Sequence, residues 1–388
     1  MPAIKSLSGQ TIKDKLCTPL YIQKRKIVVY LVRKYVLSYK REEKMGNKKI
    51  LVTGATGFIG TYLVDQLVKE GISVVAIGRS KDGEAYYKEN AIPFVNLDIT
   101  KAKDFDKLPK DADAVAHLAG LLSIDMYMPR DYLMANSLAT YNVLEYCRKN
   151  DVRKIVFSMT HSNVNRAKSV IITEDTPEQF SGPTTPYIVS KIAAMKFIES
   201  YSRDYGIEGV SLRLPGVRGY GSRFVSFWNG KPEVSVFQMF IAKAMRGEPI
   251  EIWGKHKTVR DLVYVKDVVS GFIGALNSKK ASGLYNIGSG VGLTIEQEAK
   301  AIIAAFSPPN KPSKIVYRPD IEEVRKRSYI FSIEKAKKDF GYAIKYSYED
   351  AMKDYKKEME LGRFKYLISK QEEVLYRRYG KTLDEILY

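Results

Sequence analysis

Two ionisable side chains stand four positions apart in Tyr187-Ile188-Val189-Ser190-Lys191. In a helix this spacing puts a phenol and an ammonium group on one face. A free tyrosine titrates near pH ~10, and a cation beside it favours the phenolate and lowers the pKa. Such a tyrosine can take the proton of an alcohol and later return it. Taken alone, the pair is also typical of a solvated helix face, so its surroundings must decide between the two interpretations.

Hydroxyl side chains end a predicted strand upstream of this pair. The fifth strand candidate finishes in Ser158-Met159-Thr160. In open α/β folds, ligands bind at the carboxyl edge of the parallel sheet. The sequence therefore predicts that Ser158 and Thr160 offer hydroxyl groups to a ligand at that edge.

A glycine-rich turn joins the first predicted strand to a helix, in Thr53-Gly54-Ala55-Thr56-Gly57-Phe58-Ile59-Gly60. Gly54 permits the tight turn, Gly57 lets backbone N–H groups approach a pyrophosphate, and Gly60 lets helix and strand pack closely. The positive end of the helix then faces the phosphates. The turn predicts a dinucleotide site, and an oxidised nicotinamide ring bound there would add a second positive charge near the tyrosine.

The end of the second predicted strand bears on the choice between NAD and NADP. An acid there would bind the ribose 2′-hydroxyl of NAD, whereas an arginine can accept the 2′-phosphate of NADP. Gly78 is followed by Arg79, which favours NADP, although Arg79 could equally stack on the adenine. Asp98, after the third strand, could accept from the adenine amino group or cap a helix from Thr100 onward. Both cofactors therefore stay open.

The elements that position these residues alternate between strands and helices from Lys48 onward. This alternation is typical of βαβ units and a parallel sheet. We predict an α/β fold, a Rossmann doubly wound parallel sheet with a smaller, interleaved C-terminal substrate domain. Strand candidates are Lys49–Val52, Ser73–Ile77, Pro93–Asn96, Ala114–His117, Lys154–Ser158, Val210–Leu214, Asp261–Tyr264 and Leu284–Ile287, and helix candidates are Ile59–Glu70, Tyr132–Lys149 and Tyr187–Tyr205.

The chain divides into four predicted segments. Residues 45–214 form the dinucleotide-binding domain, with returning segments at about 261–288, residues 215–358 form the interleaved substrate lobe, and residues 359–388 form a helical tail. Residues 1–44 carry eleven Lys/Arg against three Asp/Glu and lack strand or glycine signals. We interpret them as a disordered extension or the product of a start codon placed too early, with a basic amphipathic arm on an anionic membrane as the alternative.

Composition narrows the classes of protein. The 388 residues contain two cysteines and three histidines without metal-ligand spacing, so no metal site and a reducing cytoplasm are expected. No apolar run approaches the ~18 residues of a membrane-spanning helix. The formal charge of +19 suits a diphosphate substrate as well as nucleic acid, but the basic residues are scattered rather than laid in a stripe. No nucleic-acid partner is expected.

The motifs together resemble the extended short-chain dehydrogenase/reductases, and more narrowly their NAD-dependent sugar-nucleotide epimerase/dehydratase branch, which includes the UDP-galactose 4-epimerases. The resemblance runs from about Lys48 to Lys356. It rests on Thr53–Gly60, His117–Gly120, Asn136, Ser158–Thr160 and Tyr187–Lys191, with Trp253–Lys255, Thr258–Val268, Tyr285–Gly288 and Arg318–Asp320 farther along.

The resemblance implies roles for individual residues. Tyr187 would be the acid/base, Lys191 would orient the nicotinamide ribose, and Thr160 would hydrogen-bond the reacting hydroxyl. Arg260 and Arg318 would bind the diphosphate of a nucleotide-diphosphate sugar, and Ser158 would join them in the substrate site. The implied cofactor residues are Gly54, Thr56, Gly57, Phe58, Ile59, Gly60, Arg79, Asp98, Ile99, Leu118, Ala119, Gly120, Asn136, Tyr187 and Lys191. A homodimer through the helices Tyr132–Lys149 and Tyr187–Tyr205 is also implied.

Departures from the family pattern decide between reactions. Dehydratases of this branch usually carry Asp-Glu after the threonine, whereas His161-Ser162 follows Thr160 here, so dehydration is disfavoured. Gly216 replaces a substrate-binding asparagine, and Arg218 replaces an aromatic residue. We expect an epimerase that oxidises a sugar to a ketone and returns the hydride to its other face. The alternatives are a keto-sugar-nucleotide reductase and a non-catalytic relative that senses dinucleotide or binds RNA.

Overall fold

The computed structural model describes residues 48–122, 127–164, 167–178, 184–228, 231–255, 257–322 and 327–380, with residues 382 and 385. The predictions for residues 1–44 and for His256 fall outside this part of the chain. Within it, no helix is long and apolar enough to cross a membrane.

The strands, in chain order, are β1 (Lys49–Thr53), β2 (Ser73–Gly78), β3 (Phe94–Asn96), β4 (Ala114–His117), β5 (Lys154–Thr160), β6 (Ile171–Ile172), β7 (Glu208–Leu214), β8 (Gly216–Arg218), β9 (Val225–Trp228), β10 (Lys231–Val234), β11 (Ile250–Trp253), β12 (Val259–Tyr264), β13 (Gly283–Asn286), β14 (Gly292–Thr294), β15 (Ile315–Arg318) and β16 (Ile330–Phe331). The α-helices are α1 (Phe58–Lys69), α2 (Lys81–Glu89), α3 (Pro129–Tyr132), α4 (Ala139–Lys149), α5 (Pro186–Tyr205), α6 (Val236–Arg246), α7 (Val265–Asn277), α8 (Ile295–Phe306), α9 (Glu334–Phe340), α10 (Tyr348–Leu361) and α11 (Lys365–Tyr379).

Seven strands form one parallel sheet in the order β13-β7-β5-β4-β1-β2-β3. The chain moves outward in one direction from β1 through β3 and in the other from β4, so the strand order reverses between β1 and β4. Ligands of open α/β sheets bind at the carboxyl ends of the strands at such a switch point. The predicted doubly wound fold is confirmed, and its switch point lies where the glycine-rich turn follows β1.

The strands of this sheet are apolar and covered on both faces, as expected when crossover helices flank a parallel sheet. In β1, Ile50, Leu51 and Val52 are all buried. A large cluster of buried side chains packs between β1, β4, β5 and the helices α4 and α5, and it includes the free thiol of Cys147. This core fixes the sheet edge from which the functional side chains project.

Later strands build the remainder of the fold. β13 returns to pair with β7 at the edge of the large sheet, whereas β12 pairs with β8 and β14 in a separate three-stranded sheet. β11 pairs with β15, β9 with β10, and β6 with β16. The segment after β7 therefore alternates between the large sheet and smaller sheets. Of the two predicted returning strands, Leu284–Ile287 overlaps β13 in the large sheet, whereas Asp261–Tyr264 lies in the three-stranded sheet.

The last helix, α11, packs against the dinucleotide-binding part of the fold rather than projecting as a free tail. Phe364 and Tyr62 rings meet edge to face with centroids 4.7 Å apart, and Tyr366 hydrogen-bonds the hydroxyl of Thr61. Leu367 and Leu375 are buried. Both Tyr62 and Thr61 belong to α1, so α11 is seated on the helix that follows the glycine-rich turn.

Candidate active site

The turn after β1 has the backbone geometry that its glycines predict. Gly54 has φ +71°, a left-handed conformation that favours glycine, and a Cβ there would lie 2.6 Å from the Ala119 nitrogen. A Cβ at Gly60 would lie 2.2 Å from the Gly54 oxygen. Gly57 is the N-cap of α1 and has no side chain to occupy the first N–H groups of that helix. Those groups are available to an anion at the positive end of the helix.

Two cavities meet at this turn. The larger has a volume of about 1040 Å³ and extends past the ends of β2 and β3, while the smaller, of about 410 Å³, reaches β5 and α5. Both are lined by Gly54, Gly57, Leu118, Gly120 and Leu121, so they form one continuous groove. A dinucleotide could extend along such a groove, with its pyrophosphate at the shared turn.

The groove collects most of the residues that sequence analysis selected. The larger cavity is lined by Gly54, Thr56, Gly57, Arg79, Asp98, Ile99, Leu118, Ala119 and Gly120, and the smaller by Gly54, Gly57, Phe58, Ile59, Gly60, Leu118, Gly120, Ser158, Thr160, Tyr187 and Lys191.

Tyr187, Lys191 and Thr160 lie together in the smaller cavity. Tyr187 lies in the first turn of α5, which begins at Pro186 after the N-cap Thr185, whose hydroxyl accepts from the Ile188 N–H. Tyr187 is 8% exposed and lies beside the hydroxyl of Thr160, which ends β5. The fixed start of α5 and the end of β5 thus hold the phenol and the hydroxyl against each other.

Burial controls the protonation of this pair. It raises the pKa of Tyr187, with the hydroxyl of Thr160 acting in the opposite direction. The sequence predicts a lowered pKa with Lys191 and an oxidised nicotinamide ring beside the phenol, whereas in the protein alone desolvation of the phenolate outweighs the other influences. Burial also lowers the pKa of Lys191 to about 7. Its ammonium lies 4.0 Å from the centre of the Phe157 ring, which partly compensates the loss of water.

Asn136 organises the loop that lines both cavities. Its side chain accepts from the Leu121 N–H at 2.8 Å and donates to the Leu121 carbonyl at 3.2 Å and to the Ser190 hydroxyl at 2.9 Å. It lies in a π-helical turn, Leu133–Leu138, between α3 and α4. Such wide turns are frequent at functional sites. Here the turn directs Asn136 inward, where it ties the loop after β4 to α5.

At the far end of the larger cavity, Arg79 and Asp98 pair with each other. The Arg79 guanidinium lies 3.5 Å from one Asp98 oxygen. The other Asp98 oxygen accepts from the N–H and the hydroxyl of Thr100, at 3.1 and 2.8 Å. Asp98 thus closes a turn at Thr100 and does not cap a helix, because the next helical turn begins at Ala102 with Lys101 as its N-cap. The residue also lines the cavity.

Neither of the two arginines expected at the substrate diphosphate lines the larger or the smaller cavity. Arg260 lies within 5.9 Å of the Tyr329 ring, and that ring packs against His161, a lining residue of the smaller cavity. Arg318 ends β15 and lies 3.1 Å from Asp320 and 3.6 Å from Glu251. Arg260 is thus one layer behind the cavity wall, and Arg318 is held by carboxylates of the second lobe.

Burial favours the neutral form of the two histidines in the described part of the chain. His117 is fully buried between the hydroxyls of Thr53 and Thr140, and burial lowers its pKa to about 3. His161 faces the Leu214 carbonyl at 3.0 Å, and burial lowers its pKa to about 4. His161 therefore brings no acid to the position where a dehydratase carries a carboxylate.

Sequence reasoning missed several lining residues, among them one arginine and two residues of α11. Arg223 lines the smaller cavity, and Ser369 and Glu373 of α11 line the larger one. Arg223 follows two glycines in Gly219-Tyr220-Gly221-Ser222-Arg223, a turn signal that could have drawn attention to it. Nothing local in the sequence indicates that α11 reaches the cavity. Arg218, noted as a departure, pairs with Glu298 at 3.0 Å and is a structural cation.

Comparison with known proteins identifies the family. The model of the NAD dependent epimerase/dehydratase family matches residues 50–288. A putative UDP-glucose 4-epimerase of Methanocaldococcus jannaschii is 33% identical over 253 residues, covering 64% of this chain and 79% of the relative. UDP-glucose 4-epimerase of Mycolicibacterium smegmatis is 28% identical over 273 residues, covering 68% of this chain and 84% of the relative.

Solved structures agree. UDP-N-acetylglucosamine 4-epimerase from Bacillus cereus superposes with a TM-score of 0.66 at 26% identity, covering 81% of this chain and 97% of the other. UDP-glucuronic acid 4-epimerase from Bacillus cereus, in complex with NAD, superposes with a TM-score of 0.64 at 25% identity, covering 80% and 99%. The fold, the glycine-rich groove and these matches lead to one conclusion: the chain belongs to the NAD dependent epimerase/dehydratase family.

Proposed function

We propose that this enzyme is an NAD-dependent epimerase of a nucleotide-diphosphate sugar, with a UDP-sugar as the first candidate, and that it works by transient oxidation to a keto-sugar. The observation that carries the proposal is the continuity of two cavities. The pocket with Tyr187, Thr160 and Lys191 opens onto the groove formed by the glycine-rich turn. A sugar hydroxyl and a dinucleotide can therefore meet at one point.

The groove fits NAD. A Cβ at Gly54, Gly60 or Gly120 would lie within 2.6 Å of a neighbouring backbone or amide atom, so glycine at these positions lets the backbone around the groove pack closely. NAD, when bound, supplies the acceptor and later the donor of a hydride. The N–H groups at the start of α1 would hold its pyrophosphate, and Lys191 would hydrogen-bond the nicotinamide ribose.

Tyr187 is proposed as the acid/base. Its phenol would take the proton of the sugar hydroxyl as the ketone forms and return it as the hydroxyl is restored. Thr160, whose hydroxyl lies beside the phenol, would hydrogen-bond the same sugar hydroxyl. Burial raises the pKa of the phenol, so the positive charge of an oxidised nicotinamide ring beside it is what would bring that pKa into a working range. Proton removal would therefore depend on the cofactor being in place.

Cationic side chains near the pocket support a diphosphate substrate. Arg223 lines the pocket directly, and Arg260 lies behind His161. Arg318 would have to exchange Asp320 and Glu251 for the substrate. We therefore propose Arg223 as a diphosphate ligand beside Arg260 and Arg318. Ser158 would contact the sugar.

The residues after Thr160 favour epimerisation over dehydration. The neutral His161 and its neighbour Ser162 offer no acid to expel a second hydroxyl.

Tyr141 and Phe197, on α4 and α5, are both about two-fifths exposed and their rings lie 6.3 Å apart. We propose that this apolar face joins two copies of the chain. A cytoplasmic location is proposed because Cys147 is a free, buried thiol.

A panel of UDP-sugars tests the reaction. Purified protein is incubated with UDP-glucose, UDP-galactose, their N-acetylamino forms and UDP-glucuronic acid, without added dinucleotide, and the products are separated by chromatography. Conversion of one sugar to its epimer supports the proposal. Consumption of added NADPH with a keto-sugar nucleotide, and no interconversion without it, would identify a reductase instead.

A further inference from the structure

The adenosine end of the groove lacks the acid that usually contacts an NAD ribose. In dinucleotide-binding folds that acid follows the second strand and accepts from the ribose 2′-hydroxyl. Here β2 ends at Gly78, and Arg79 follows, paired with Asp98. The residue after β2 is therefore a cation that already pairs with a carboxylate.

A helix outside the family match forms the opposite wall. The matched region ends at residue 288, whereas α11 spans Lys365–Tyr379. Ser369 and Glu373 of this helix line the larger cavity together with Arg79 and Lys81. Because they are four residues apart, their side chains share one face of α11.

The position of α11 is fixed on both sides of that face. Tyr366 hydrogen-bonds Thr61 of α1, and its ring centre lies 5.1 Å from that of Tyr86 in α2. Gln371 accepts from the Phe224 N–H at 2.8 Å. Gly221 has no Cβ, and one there would lie 2.5 Å from Leu367, so the glycine admits the helix. These contacts hold Ser369 and Glu373 at the cavity.

We infer that α11 is part of the cofactor site, and that Glu373 supplies to the adenosine ribose the carboxylate that the end of β2 lacks. The inference rests on the proposed function, since it assumes that the groove holds a dinucleotide. A carboxylate accepts two hydroxyl hydrogen bonds well but repels a 2′-phosphate.

The charges at this end of the cavity point the same way. Its ionisable lining residues are three acids and two bases: Asp82, Asp98, Glu373, Arg79 and Lys81. The 2′-phosphate of NADP would bring a charge of about −2 to this end of the cavity, where the acids already outnumber the bases. The arrangement therefore favours NAD over NADP, although Arg79 taken alone suggests the reverse.

Glu373→Gln is the direct test, and Glu372→Gln is its matched control, because Glu372 is the exposed neighbour on the same helix and does not line the cavity. Full-length protein is freed of retained dinucleotide by exchange and titrated calorimetrically with NAD and with NADP. We expect Glu373→Gln to weaken NAD binding about tenfold while NADP binding stays equal or improves, and Glu372→Gln to change neither.

Other outcomes separate the inference from the proposed function. Wild-type protein that binds NAD, with an affinity that Glu373→Gln leaves unchanged, overturns the inference alone. Equal weakening of NAD and NADP also overturns it, since α11 would then be structural support. Loss of NAD preference in Asp82→Asn but not in Glu373→Gln would move the ribose contact to α2 and reject Glu373. Wild-type protein that binds neither dinucleotide rejects both the proposed function and the inference.

Discussion

The two ends of the dinucleotide groove are built from different parts of the chain. At the catalytic end, Tyr187 and Lys191 come from neighbouring turns of α5. Thr160 comes from the end of β5, a strand of the large sheet that lies earlier in the chain. At the adenosine end, the wall opposite β2 is completed by Glu373, almost three hundred residues from Gly78. Tyr187, Lys191 and Thr160 are buried, whereas Arg79 and Glu373 are exposed. We therefore propose that chemistry at the catalytic end depends on desolvation and that selectivity at the adenosine end depends on charge.

A family sequence pattern identifies the residues of the catalytic end but not all of those at the adenosine end. Chemistry that needs a fixed spacing leaves a local signature, because a helix turn or a tight loop sets the distances. Selectivity for a free ribose 2′-hydroxyl needs only one carboxylate that lines the cavity. Any helix, strand or loop that reaches the cavity can provide it. Substitutions at the two ends should therefore differ in the size and kind of their effects.

The largest effect is expected at the catalytic end, from Tyr187→Phe. Loss of the phenol removes the proposed acid/base and should lower kcat on the order of a thousandfold, with NAD binding retained. Tyr317→Phe, at an exposed ring of β15 that lines neither cavity, is the control. The check is the turnover rate on the sugar that the panel identifies. A variant with more than a tenth of wild-type activity would contradict the role of Tyr187.

Lys191→Met should change the pH dependence of stability in dinucleotide-free protein. The folded pKa of Lys191 is lowered to about 7, and an unfolded lysine titrates near ~10.4. Between these values the unfolded chain binds more protons, so wild-type stability rises with pH across this window. Below pH 7 the wild type carries a buried cation at full cost.

Denaturant unfolding of both proteins from pH 6 to 10 checks this prediction. The stability advantage of Lys191→Met should be largest at pH 6, on the order of a few kcal/mol, and should shrink towards pH 10. An advantage that does not vary with pH would show that Lys191 is not desolvated.

Gly60→Ala tests the turn shared by both ends. The added Cβ would lie 2.2 Å from the Gly54 oxygen, which is backbone and cannot move aside. We expect a loss of about 1–3 kcal/mol in the free energy of unfolding, with weakened binding of both NAD and NADP. Thermal unfolding and dinucleotide titration check it. Unchanged stability and binding would contradict the close packing of α1 on β1.

Arg223→Gln should give a smaller effect confined to the substrate. Removing one charged contact to a diphosphate should raise KM about tenfold while kcat and NAD binding stay near wild type. Arg153→Gln, an exposed arginine that lines neither cavity, is the control. A lower kcat with unchanged KM would remove Arg223 from the diphosphate site. The effect of Glu373→Gln on NAD affinity should be of similar size at the other end.

The same contrast explains which features of the fold and of the site could be predicted from the sequence. The doubly wound sheet, the glycine-rich turn and the grouping of Tyr187, Lys191 and Thr160 could be predicted, because hydrophobic periods and local spacing encode them. The raised pKa of Tyr187 could not, because it depends on burial by the whole fold. The places of Arg318, among acids of the second lobe, and of α11, on α1 and α2, depend on contacts between distant segments. No local pattern records such contacts.

The dinucleotide that the purified protein retains tests the central claim most directly. Heating releases the bound molecule, and mass spectrometry gives its identity and its ratio to the chain. The account predicts close to one NAD per chain, retained through purification and recycled during turnover. Recovery of NADP instead, or of no dinucleotide together with preferential binding of added NADPH, would contradict it.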